Sequence, residues 1–109
     1  MSVNCQLVPD KQELILKING GLGNKIQREF RKAYENNPCK KYTIDLAGSS
    51  NIDSSGLGML LLLRDFAGGE KSNIEIINCS DHILEIFHVT CFYKLFKIPQ
   101  YNRPLATNT

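Results

Sequence analysis

Tryptophan is absent, and neither sign of charge dominates: 13 lysines and arginines stand against 11 aspartates and glutamates, a net charge of +2. That excess is too small to require nucleic acid or an anionic membrane as partner. Long hydrophobic runs are missing as well. The longest, over residues 57–63, falls far short of the roughly 20 apolar residues that a spanning helix needs, so no membrane insertion is expected. Cysteine is scarce. Cys5, Cys39, Cys79 and Cys91 include no C-x-x-C pair, so neither a zinc site nor a thioredoxin-like motif is implied. No secretory signal pattern precedes the first apolar segment, and a cytoplasmic protein with reduced thiols is the expectation. Low-complexity segments and internal repeats are also lacking. A composition that is 42% hydrophobic and 22% charged excludes a disordered chain. A single domain over residues 1–99 is expected, with a polar, flexible tail over residues 100–109.

What is present alternates between two periods. Residues 3–8 and 13–18 read as strands of a hairpin around Pro9, Asp10 and Lys11. Gly20, Gly21 and Gly23 break the second strand. Residues 24–34 then put Ile26, Phe30 and Ala33 or Tyr34 on one helical face and Lys25, Arg28, Arg31 and Lys32 on another. Residues 41–46 read as a strand, 54–67 as a helix stopped by Gly68 and Gly69, and 74–79 as a strand. Residues 81–88 read as a helix and 93–98 as a short last strand before Pro99. The order β-β-α-β-α-β-α implies parallel crossovers in an α/β fold, with a sheet shielded by helices. The opening hairpin makes that sheet mixed.

The most specific segment is Asn51, Ile52, Asp53, Ser54, Ser55, Gly56, Leu57 and Gly58, followed directly by Met59 and four leucines. Asp53 suits the N-cap of the helix, with Ser54 at the first helical position. The first amides of a helix have no intrahelical acceptor, and its dipole favours negative charge there, so a hydroxyl at this point can be phosphorylated without breaking the fold. Gly56 and Gly58 each cost roughly 1 kcal/mol of helix propensity relative to alanine. Such a cost suggests the close approach of another backbone or a ligand. Residues 59–63 are apolar around more than a full turn, so a helix packed on the sheet leaves an apolar strip outside, which suits a protein–protein contact.

Competing chemistries fail on spacing. A G-x-S-x-G nucleophile elbow around Ser54 needs glycine at position 52, where Ile52 stands. A dinucleotide fingerprint from Gly21 needs glycine at 26, where Ile26 stands, and no Gly-Lys-Ser/Thr run makes a phosphate loop. His82 and His88, six residues apart, do not share a helical face, so with Cys91 they make no metal set. The stripe Lys25, Arg28, Arg31 and Lys32, diluted by Glu29 and Glu35, reads as a solvated helix face. No enzyme activity, cofactor, metal or direct nucleic-acid contact is expected.

With these residues in place, the chain resembles STAS domains and, among them, the bacterial anti-sigma factor antagonists. The likeness runs over almost the whole sequence: the strand and glycine turn of residues 14–23, the strand Tyr42-Thr43-Ile44-Asp45-Leu46, the run Asp53-Ser54-Ser55-Gly56-Leu57-Gly58, and residues 74–98. It implies a single STAS domain with a mixed four- to five-stranded sheet and three to four helices. It further implies an unphosphorylated antagonist that binds an anti-sigma factor, often a serine kinase, and frees a sigma factor. Phosphorylation of Ser54, with Ser55 as the alternative, would end that binding, and a PP2C-like phosphatase would restore it. Asp53, Ser54, Ser55, Gly56, Leu57, Gly58 and Leu61 are the implied partner surface. Many relatives carry an acid where this chain has Gly23. The rival reading is a non-switching STAS subunit of a lipid-transport ATPase or a signalling scaffold.

Overall fold

The computed structural model describes residues 2–102. The chain opens with an antiparallel hairpin of β1 (Ser2–Val8) and β2 (Glu13–Asn19), in register from Ser2 opposite Asn19 to Val8 opposite Glu13. A 3-10 turn over Pro9–Lys11 joins them, and Gln12 closes it in the left-handed region at φ 49°. A second 3-10 turn, Asn24–Ile26, leads into α1 (Gln27–Glu35). Then follow β3 (Lys41–Gly48), α2 (Ser54–Phe66), β4 (Ile74–Ile77), α3 (Asp81–Val89) and the single turn α4 (Pro99–Asn102). The sheet order is β1-β2-β3-β4, with β2, β3 and β4 parallel.

Each parallel strand is added on the same side of the last, so right-handed crossovers bring α1 and α2 to one face. Burial follows. Leu14, Leu16, Ile18, Tyr42, Ile44 and Leu46 are buried in one core with Phe30, Leu60, Leu63 and Phe87. The alternate positions Ile15, Lys17, Asp45 and Glu75 keep some or full exposure. This second face satisfies its own polar groups: Lys41 pairs with Glu75 at 3.1 Å, and the Thr43 hydroxyl donates to the Glu13 carboxylate. The sheet is therefore covered on one face only. The alternation of apolar and polar residues along β2 is that of a half-solvated sheet, not of one shielded on both sides.

One expectation at the C-terminal end needs correction. Residues 93–98 do not form a strand. Phe92–Lys94 is a 3-10 turn, and only Lys97 reaches the sheet edge, through a parallel bridge to Glu75. Phe92, Leu95 and Phe96 turn to the core at helical spacing, with Phe92 stacked 5.8 Å from Phe87 and 5.7 Å from Phe96, and that packing outweighs the strand propensity. Beyond this segment, Pro99–Asn102 forms the turn α4. The Gln100 carboxamide accepts from the Cys79 N–H at 2.8 Å and donates to the Cys79 carbonyl at 3.0 Å, so it completes the end of the sheet as a peptide group would. The rest of the expected tail, residues 103–109, lies outside the described residues. Among the described residues, no helix is long and apolar enough to cross a membrane.

Candidate functional site

The site is assembled where two loops meet. The loops leaving β2 and β3 run side by side as a parallel bridge between Leu22 and Ile52. The Leu22 N–H donates to the Asn51 carbonyl at 3.0 Å, and the Asp53 N–H donates to the Leu22 carbonyl at 3.3 Å. Leu22 and Ile52 are buried, so both loops are anchored from below. Asp53 then caps α2. Its backbone is extended, and its Oδ1 accepts the Gly56 N–H at 2.9 Å. Ser54 occupies the first helical position and Ser55 the second, both exposed.

The glycines of the turn play different parts. A Cβ at Gly56 would stand 2.1 Å from the Leu22 carbonyl oxygen and 2.8 Å from Ile52 Cγ1. Gly56 is thus required by the close approach of the neighbouring loop, and it is buried. The Leu22 backbone lies over it, so it fixes the turn from within. Leu57 is half-buried against the core. A Cβ at Gly58 would meet nothing within 4 Å. A Cβ at Gly23 would stand 2.7 Å from Asp53 Oδ2. A side chain at position 23 would therefore have to displace the Asp53 carboxylate from its present place.

Below the turn, α2 divides cleanly. Met59, Leu60 and Leu63 are buried in the core, while Leu61, Leu62 and Phe66 are 41%, 49% and 44% exposed. Phe66, beyond the apolar stretch 59–63 expected to face a partner, extends the strip. The sequence signal for the strip itself was present, since five apolar residues cannot all face one way at 3.6 residues per turn. Helix α1 lies alongside: the Tyr34 and Phe66 rings are 5.0 Å apart, and Gln27 shares a shallow concavity with Ser55, Gly58, Leu61, Leu62 and Asp65. A second concavity, lined by Asn24, Lys25, Gln27, Arg28 and Arg31, adjoins it through Gln27. No group of three or more His, Cys, Asp or Glu able to hold a metal occurs among the described residues.

The fold is thus an α/β domain with a monotonic four-stranded sheet, and Asp53 caps α2 beside an exposed serine pair. The family model described as Mlab, STAS domain, matches residues 5–97, and the chain belongs to the STAS domain family. It is 41% identical over 100 residues to a STAS-domain containing protein of Pseudomonas aeruginosa, covering 90% of this chain and 99% of that one. Its fold is similar to that of a candidate anti-sigma factor antagonist of Thermotoga maritima, with a TM-score of 0.76, 19% identity, and 88% and 84% of the two chains covered. It is also similar to SpoIIAA, the Bacillus cell fate determinant, in its phosphorylated form, with a TM-score of 0.62, 16% identity, and 89% and 90% covered.

Proposed function

We propose that this STAS domain is a cytoplasmic anti-sigma factor antagonist whose binding is switched by phosphorylation of Ser54. Unmodified, it holds an anti-sigma factor, a serine kinase in the fullest form of such a system, and a sigma factor is released. The supporting observation is the placement of one exposed hydroxyl, Ser54, at the first position of α2 beside the exposed Leu61, Leu62 and Phe66. A phosphate there adds about −1.5 to −2 charges at pH 7. The positive end of the α2 dipole stabilises that charge within the domain. A partner pressed over the apolar strip would have to desolvate the phosphate, so the complex is lost and the fold is kept. A PP2C-like phosphatase returns the protein to its binding form. The domain supplies a surface and a modifiable hydroxyl, with no catalysis and no cofactor. Its likeness in fold to SpoIIAA, a protein known in phosphorylated and unphosphorylated forms, is consistent with this reading.

The test is incubation with the cognate kinase and labelled ATP. Wild type and Ser55→Ala should take up phosphate and Ser54→Ala should not; equal uptake by wild type and Ser54→Ala removes Ser54 from the role. A second reading, a non-switching STAS subunit of a lipid-transport ATPase or a signalling scaffold, draws on the length of the apolar strip. It reaches Phe66 at the far end of α2, more surface than a switch at Ser54 alone requires. Stable co-purification with a transporter and no phosphate on Ser54 in cells would favour it.

A further inference from the structure

We propose that the trough between α1 and α2 receives an amphipathic helix of the partner, apolar toward Leu61 and Leu62 and acidic toward Lys25 and Arg28. The proposal rests on the docking half of the function proposed above and adds the chemistry of what docks. Its first support is Gly58. The fold gives no reason for a glycine in the middle of α2, since a Cβ there meets only open space. Its neighbours in the trough are Ser55, Leu61 and Leu62. A side-chain-free floor, with Ser55 one turn before it and Leu61 and Leu62 one turn after, lets the backbone of another helix come close. A concave, apolar-floored trough is the shape that takes a helix by its apolar face.

The second support is charge. Arg31 is taken up by Glu35 at 2.9 Å, and the Glu29 carboxylate accepts the Val3 N–H at 3.1 Å. Lys25 and Arg28 make no ion pair among the described residues and line the concavity that adjoins the trough at Gln27. Parallel crossovers also bring the N-termini of α1 and α2 to the same end of the sheet, so two positive dipole ends add to these cations. Among the described residues Asp65 is the one acid lining the trough, at the opposite end, where Arg64 lines it too. The Asp53 carboxylate accepts the Gly56 N–H and lines a neighbouring concavity with Lys25, while Arg28 has no acid among the residues lining its own concavity. An acidic flank on the incoming helix is therefore the complementary one. It follows that a phosphate on Ser54 would compete with the partner's carboxylates for the same electropositive end.

The experiment uses the full-length protein and two stapled, fluorescein-labelled helical peptides of roughly 15 residues. They share a leucine face and differ only in flanks of glutamate or of lysine. The glutamate peptide should bind, more weakly as salt rises, with NMR shifts centred on Gln27, Arg28, Gly58, Leu61 and Leu62. The lysine peptide should bind at least tenfold more weakly. The doubly substituted Lys25→Glu, Arg28→Glu protein should reverse that preference. Gly58→Leu should lose the glutamate peptide while its thermal midpoint does not fall. Equal binding of the two peptides, shifts centred elsewhere, or binding only to phosphatidylglycerol-containing vesicles would overturn the proposal. If the peptide fails while phosphate on Ser54 still controls the native partner, the trough chemistry falls and the switch stands. If the peptide binds as proposed and is indifferent to that phosphate, the trough chemistry stands and the switch falls.

Discussion

Alanine at Gly56 and alanine at Gly58, two residues apart on one helix, should change stability in opposite directions. At Gly56 the new Cβ begins 2.1 Å from the Leu22 carbonyl oxygen, whereas a carbon–oxygen contact settles at about 3.3–3.6 Å. More than an ångström of retreat is needed. The group that must retreat is backbone, held by the Leu22–Ile52 bridge and by the Asp53 N–H at 3.3 Å. Overpacking of this kind costs about 1–3 kcal/mol. Weakening the Asp53–Leu22 hydrogen bond adds about 1 kcal/mol. The better helix propensity of alanine returns about 1 kcal/mol. The net loss is about 2 kcal/mol, which lowers the thermal midpoint of a domain this size by roughly 8–16 °C. At Gly58 only the propensity gain remains, so Gly58→Ala should raise stability by about 0.5–1 kcal/mol. Far-UV circular dichroism melts, with urea titrations for the free energies, read both. A Gly56→Ala protein as stable as wild type would refute the close approach of the two loops. A Gly58→Ala protein destabilised as much as Gly56→Ala would refute the assignment of Gly58 to the outer surface.

Other substitutions probe the remaining parts of the fold. Asp53→Ala removes the cap on the Gly56 N–H and should cost about 1 kcal/mol in urea unfolding, while Asp53→Asn should cost less. Gln100→Ala leaves the Cys79 N–H and carbonyl unpaired and should cost about 1–3 kcal/mol, with faster hydrogen exchange at the Cys79 amide. Burial pushes the Cys79 thiol from its ordinary 9.0 to about 12. The folded state thus keeps a proton that the unfolded chain releases above pH 9. The contribution is complete below pH 9 and is lost as pH rises toward 12. The urea midpoint should fall over that window, and Cys79→Ala should flatten the fall. In the native protein, alkylation should reach the exposed Cys5 and Cys91 while Cys79 stays protected.

Much of this structure is legible in residues that obey one period at a time. The hairpin, the three helices and the parallel strands all fall where alternation or the 3.6-residue repeat puts them. The Asp53 cap and the position of Ser54 follow from residue type alone, because few side chains accept a first-turn amide. What the sequence could not reveal depends on neighbours far along the chain. Gly56 and Gly58 look alike as letters. Only the Leu22 carbonyl, 34 residues earlier, makes one indispensable and leaves the other free. Gly23 reads as a missing acid until the Asp53 carboxylate is seen in the space its side chain would need. Phe92 and Phe96 carry strand propensity, yet the aromatic stack with Phe87 draws them into a turn. Gln100 reads as tail, and its role appears only when the Cys79 peptide group is found without a strand partner.

The central claim is that charge on Ser54 decides whether the α2 face is occupied. Isothermal titration of the cognate anti-sigma factor against the unmodified protein and against protein carrying phosphoserine at 54 tests it most directly. The phosphorylated form should bind at least about tenfold more weakly, a loss of 1.4 kcal/mol or more, with an unchanged circular dichroism spectrum. Equal affinity of the two forms, with phosphate verified at Ser54, would contradict it.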